Sequence, residues 1–269
     1  MSKSLPPPFA PPMHGGPSLS QGNVDGLRYL EMFSYIFRSP DGISNVLLCG
    51  ICFLIPIVGP IVLLGYRYEV LEHWHRHSQA DYPKFDFGRF GDYLSRGIWP
   101  FLVLFVASFL LIPIVLLVYV LSFFVFAMGG IAGDGFAIVG AILGFGILIL
   151  GVMLAAALLG TVTIPMEMKA GLQKDFGAGF DMGFVKNFVR STWKETVIGF
   201  LFLYAANLVL IFVGFLALCI GMYFSMAILL MAQTHFEHQL YLLYLKRGGT
   251  PIPTPHPFAG PPKNAPSGW

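Results

Sequence analysis

Four stretches of this chain, residues 42–66, 97–133, 135–166 and 196–234, run for 25, 37, 32 and 39 residues without an Asp, Glu, Lys or Arg. Backbone in hydrocarbon must satisfy its own hydrogen bonds, and one helical crossing needs about 20 apolar residues. These runs restrict the chain to an all-α fold, a polytopic integral membrane helix bundle. Composition agrees. Charged residues are 11% of the chain, against about 25% in soluble domains. Hydrophobic residues are 56%, and mean hydropathy is +0.72. A soluble fold could not hide that much apolar surface behind so few charges, which excludes a soluble enzyme or an extracellular disulfide module. A net charge of +2 is too small for a nucleic-acid binder, so no nucleic-acid partner is expected.

The fourth run is too long for one crossing: as a single helix it would reach about 58 Å through a core of about 30 Å. Two crossings turning within 214–221 fit better. Five hydrophobic segments follow, at about 43–66, 98–128, 136–165, 196–214 and 216–235. The first has two readings. Its length favours a crossing, whereas Pro56-Ile-Val-Gly59-Pro60 could fold it back as a re-entrant hairpin, which the paired Pro-rich tails favour. Before it, Leu27, Leu30, Met32, Phe33, Ile36 and Phe37 recur at helical spacing, as in a short helix lying in the membrane interface. The membrane domain thus occupies 26–247. Residues 1–25 and 248–269 are rich in Pro and Gly and are expected to be disordered tails. No apolar signal sequence precedes residue 40, so insertion through the first hydrophobic segment is expected.

Orientation follows from Lys and Arg in the loops. Arg67, Arg76, Lys84, Arg89 and Arg96 lie in one, and Lys169, Lys174, Lys186, Arg190 and Lys194 in the other. Both loops and the C-terminus are therefore expected in the cytoplasm of a multi-pass cell-membrane protein. The two loops also share an element: Phe85-Asp86-x-Gly88 matches Phe180-Asp181-x-Gly183, and upstream Leu63-Leu64-Gly65 matches Leu158-Leu159-Gly160. Two parallel repeats of helix, amphipathic loop and helix are the simplest reading.

The residues Leu54-Ile-Pro56-Ile-Val-Gly59-Pro60, then Gly65-Tyr66, a charged helix, Tyr82-Pro83-Lys-Phe85-Asp86 and Gly97 form a recognisable series. It resembles an uncharacterised prokaryotic integral-membrane family, domain of unknown function 4013. Gly221-Met-Tyr-Phe and Ala232-Gln-Thr-His235 are similar to that family's last helix and exit. The resemblance is expected to run from about Arg28 to about Arg247. It implies a multi-helix membrane protein, and no enzyme, cofactor or substrate.

No helix core carries an ionisable residue, which argues against proton- or sodium-coupled transport. Asn207 is the best intramembrane polar residue, and such residues commonly join helices. Gly140-x-x-x-Gly144 offers a flat face for helix packing or self-association. Cys49, Cys52 and Cys219 sit in apolar runs and read as packing residues. Glu69, His73 and His77 share one helix face by i, i+4, i+8 spacing, and His235 and His238 flank Glu237 at the last exit. Imidazole plus carboxylate is a metal-ligand set, so these five are the candidate ligands; an interfacial arm anchored by Trp74, Tyr66, Tyr68 and Tyr82 is the plainer reading. No catalytic or cofactor-binding residue is expected. The leading expectation is a non-enzymatic scaffold or assembly component whose partners are the bilayer, itself or another membrane protein. A facilitator of a small neutral or lipidic solute is the alternative, and a metal-dependent interfacial enzyme comes third.

Overall fold

The computed structural model describes residues 27–76, 82–217 and 220–253. Among them the chain forms seven α-helices and no strand: α1 Tyr29–Arg38, α2 Gly42–Phe53, α3 Val58–Arg76, α4 Phe90–Ile131, α5 Asp134–Gln173, α6 Met182–Leu216 and α7 Gly221–Lys246. Three are long and apolar enough to cross a membrane, within Phe87–Ile131, Gly135–Gln173 and Met182–Leu216. The boundaries lie where glycine and aspartate place them. Gly133, at φ +111, makes the tight turn from α4 to α5. The 196–234 run breaks at 217–220 between α6 and α7, inside the expected interval. The two Phe-Asp-x-Gly elements act alike: Asp86 Oδ1 accepts the Gly88 N–H at 2.8 Å, and Asp181 Oδ1 accepts the Gly183 N–H at 3.0 Å. Each aspartate thus satisfies a free N–H where a long helix begins. The Lys169 ammonium, and then the Phe184 N–H, hold the Asp181 carboxyl below its usual range.

Run 42–66 is not one helix. α2 ends after 12 residues, about 18 Å, well short of a crossing. Pro56 lacks the N–H to continue it, and Ile57 takes a left-handed φ of +64 before α3 begins. The two legs then return to one place. Asn45 Nδ2, on α2, and the Tyr66 hydroxyl, on α3, both donate to the Pro83 carbonyl, at 3.3 and 2.8 Å. Near the tip Gly59 lies against the Cys52 carbonyl, and Cys52 Sγ donates to the Gly59 carbonyl at 3.7 Å. The single segment that length favoured is therefore a helical hairpin, the form its paired prolines allowed.

α4 and α5 have 42 and 40 residues, about 63 and 60 Å. Their loop-side ends join α1, the α2–α3 hairpin, the start of α6 and the end of α7 around one core, which includes Met32, Ile36, Tyr66, Tyr68, Phe188, Phe236 and Tyr244. Their far ends form a two-helix arm whose outer side chains, among them Phe109, Leu117, Phe124, Phe136, Ile142 and Leu150, are exposed. Such a surface is of the kind that helices present to lipid. Inside the arm Gly140 meets Gly129, Gly144 faces the Ser122 carbonyl, and the Ser122 hydroxyl donates to the Gly144 carbonyl. Residues 248–253, at the start of the expected C-terminal tail, are among the described residues. Ile252 is buried, its N–H donates to the Tyr241 hydroxyl at 2.8 Å, and the Pro253 carbonyl accepts from Gln173 at 3.1 Å. The other tail residues, 1–26 and 254–269, lie outside the described residues.

In a chain lacking its native cysteines, Arg38→Cys and Lys84→Cys are expected to react with an impermeant maleimide from the same side of the membrane. Reaction from opposite sides would show that 42–66 crosses.

Candidate functional site

Three apolar runs end on a charge, and the fold brings those three charges together. Arg67 follows the first run, Glu167 the third, and Glu237 lies just beyond the fourth. They sit on α3, α5 and α7 with relative exposures of 3%, 4% and 0%. Glycine notches let these helices approach. The Tyr68 ring lies over Gly171, Phe236 over Gly199 and Phe200 over Gly160, each where a Cβ would collide with the ring. Arg67 Nη2 pairs with Glu237 Oε1, and Gln233 Nε2 donates to the same oxygen at 3.5 Å. Arg67 Nε and Glu237 Oε2 have no hydrogen-bond partner among the described residues. The Tyr68 hydroxyl donates to Glu167 Oε2 at 3.4 Å. A single guanidinium thus stands beside two buried carboxylates.

Above this cluster is a cavity of about 590 Å³. Its walls are apolar: Phe53, Pro60 and Leu64 from the hairpin, Phe101, Leu104 and Phe105 from α4, Leu159 and Gly160 from α5, and Phe200 and Tyr204 from α6. Its floor is polar, made by Arg67, Thr163, Glu167 and Gln233. Pro60, Phe105 and Ser108 line it and are also exposed, so the cavity opens sideways on the apolar flank. Its size lies in the range of small-molecule pockets, about 300–1,000 Å³.

The candidate metal ligands are not gathered. Glu69 is held by both terminal nitrogens of Arg89, at 2.6 and 2.7 Å. His73 is half-buried on α3. His235 and His238 pack against Trp74, with ring centroids 5.7 and 5.2 Å away, and Tyr35 and Tyr82 complete that aromatic group. His77 lies outside the described residues, among which no three His, Cys, Asp or Glu side chains are grouped for a metal. Asn207 is half-buried on α6 and makes no side-chain hydrogen bond among the described residues, so nothing there assigns it a joining role. Gly140 and Gly144 are used within the α4–α5 arm.

The residues that carried the resemblance make one knot. Pro56 and Gly59 shape the hairpin tip, and Pro60 lines the cavity. Gly65 lies against the Tyr93 carbonyl and Gly97 against the Ile61 carbonyl, which clamps α3 to α4. Phe85 and Tyr93 stack, and Tyr66 meets both edge-on, with centroids 5.1 to 5.7 Å apart. Asn45 Oδ1 accepts the Phe85 N–H at 2.9 Å, and Asp86 starts the turn into α4. Arg67, Glu167 and Glu237 were not grouped from the sequence because each follows a separate apolar run. That shared position is the one signal that could have grouped them.

A family described as protein of unknown function (DUF4013) matches residues 48–221. The match holds Arg67 and Glu167 and stops before Glu237, a narrower span than residues 28–247. No curated protein and no solved structure matches the chain significantly.

Two stability tests follow. Asn45→Ala leaves the buried Phe85 N–H without a partner, at a cost of about 1–3 kcal/mol. Tyr66→Phe should cost only about 0.5–1.5 kcal/mol, because Asn45 still serves the Pro83 carbonyl. Thermal unfolding in mild detergent should therefore rank Asn45→Ala below Tyr66→Phe. Arg67→Leu strands a buried carboxylate and should cost about 3–5 kcal/mol, with Arg67→Leu/Glu237→Leu recovering most of it. At roughly 2–4 °C per kcal/mol the difference is measurable as a shift in Tm.

Proposed function

The chain belongs to the DUF4013 family, and from that premise we propose that it is a multi-pass membrane protein binding a lipidic, amphipathic molecule that enters its cavity sideways from the bilayer. Among the expected roles this develops the facilitator of a lipidic solute, rather than the scaffold or the metal-dependent enzyme. The observation that carries it is the cavity itself, with apolar walls, a lateral mouth at Pro60, Phe105 and Ser108, and a charged floor. An acyl chain matches the walls, and a polar group matches Arg67, Thr163, Glu167 and Gln233. A scaffold has no need of such a space. Gly140 and Gly144, which a self-associating helix would offer to a second copy, are taken up within the arm.

In this reading α4, α5, α6 and α7 cross the membrane and the α2–α3 hairpin dips into it from the loop side. Five Lys and Arg residues in each long loop support a cytoplasmic side for those loops and the C-terminus of a cell-membrane protein. The two Phe-Asp-x-Gly caps, each opening a long helix, support descent of the halves from one duplicated unit. The proposed action is binding and exchange with the bilayer, without chemistry on the ligand.

A lipid carrying a photoreactive diazirine on its acyl chain, reconstituted with the full chain in vesicles, is expected to label peptides bearing Phe101, Leu159 and Phe200. Ala156→Phe fills the cavity and should lower that labelling roughly tenfold, the equivalent of about 1.4 kcal/mol, at unchanged Tm. Labelling spread over the α4–α5 arm and indifferent to Ala156→Phe would overturn the proposal.

A further inference from the structure

The cavity floor is unequal in charge. Arg67 lines it, but its ion-pair partner Glu237 lies behind the floor, on α7. Glu167 also lines the cavity, is 4% exposed, and makes no ion pair among the described residues. Its hydrogen-bond donors are the Thr163 hydroxyl one turn earlier on α5 and the Tyr68 hydroxyl at 3.4 Å, and it shares the Arg67 guanidinium with Glu237. Neighbouring cations are engaged elsewhere: Arg96 with Glu72 at 2.6 Å, and Lys169 with Asp181. The floor therefore presents one carboxylate more than its guanidinium neutralises. A buried charge without a counterion is costly unless something balances it.

Resting on the reading of the cavity as an amphiphile site, we propose that the polar group it accepts is a monovalent organic cation, an ammonium at the end of an apolar chain, held by Glu167. An ammonium at the floor supplies the missing positive charge, and each of its N–H groups strengthens a hydrogen bond to an ionised acceptor. Phe101, Phe105, Phe200 and Tyr204 line the same space, and aromatic faces attract cations. An anionic head group is disfavoured, since it would meet the Glu167 carboxylate at the floor. Arg67 Nε, without a hydrogen-bond partner among the described residues and on a side chain 3% exposed and lining the cavity, is a second sign that the floor awaits a polar ligand. It suits one oxygen acceptor next to the ammonium.

The test uses the full chain in nanodiscs of uncharged-net phosphatidylcholine, with dodecylamine, dodecanol and dodecanoate each displacing a fluorescent acyl probe. The amine is expected to displace the probe at least roughly tenfold better than either of the others, about 1.4 kcal/mol. Glu167→Gln should remove that preference by weakening displacement by dodecylamine, and Glu167→Asp should keep part of it. Comparable Tm values for the variants establish that they are folded. Equal displacement by amine and dodecanol in the native chain would overturn the cationic specificity and leave the cavity reading standing. An amine preference that survives Glu167→Gln would also overturn it, because partition into the bilayer would then explain the effect. Displacement by none of the three, together with probe binding unaffected by Ala156→Phe, would instead defeat the cavity reading itself.

Discussion

Arg67 cannot leave water alone. Burying a guanidinium costs several kcal/mol unless a carboxylate accompanies it, and Glu237, far along the chain on α7, provides one. That pair requires α7 to return alongside α3, which sets the order of the packed end. The other seams repeat the device. Glu69 with Arg89 and Glu72 with Arg96 fasten α3 to α4, Lys169 with Asp181 fastens α5 to the cap of α6, and Glu195 with Arg247 joins α6 to the end of α7. Basic residues that set orientation in the sequence thus also serve as fasteners between helices.

Between these pairs, glycine admits aromatic rings. Tyr68 over Gly171, Phe200 over Gly160 and Phe236 over Gly199 bring backbones close where bulkier residues would hold them apart. Close approach with small residues is the main way that helices bind one another in lipid, where burial of apolar surface supplies little drive. The helices are fastened at their charged ends, and the cavity begins immediately above those fasteners. The hairpin completes its wall with Phe53, Pro60 and Leu64. Held by Asn45 and Tyr66 to a single carbonyl at Pro83, it forms a rigid side to a space that a through-going helix would have closed differently.

The helical class, the arm turn near Gly133 and the α6–α7 turn were all legible, because each depends on local features: a charge-free run, a glycine cluster, a length limit. The first run was legible only as two alternatives, since length and the Pro56–Pro60 spacing pulled in opposite directions. The metal reading drew on a true local fact, that Glu69 and His73 share a helix face, but spacing cannot say what the face meets. Among the described residues Arg89, just before α4, takes Glu69. Similarly, Gly140 and Gly144 announced a close contact without naming the partner, which is Gly129 and Ser122 of the adjoining helix. The cavity floor was hidden for a deeper reason. Arg67, Glu167 and Glu237 belong to separate helices, and only tertiary packing turns three charges that follow separate apolar runs into one buried group.

Consistency among levels is what makes a sequence specify one fold, and its local violations mark sites where something other than stability has been selected. The other buried charges at the packed end, Arg67, Arg96 and Glu237, obey the rule and are paired. Glu167 breaks it, while Thr163, Ile164 and Pro60 around it are well suited to their surroundings. A purely structural solution was simple, since an apolar residue at 167 would remove the unbalanced charge and fill part of the space. Retaining a carboxylate there keeps both the space and a charge facing it, and those two features together are what an amphiphile with a cationic end requires.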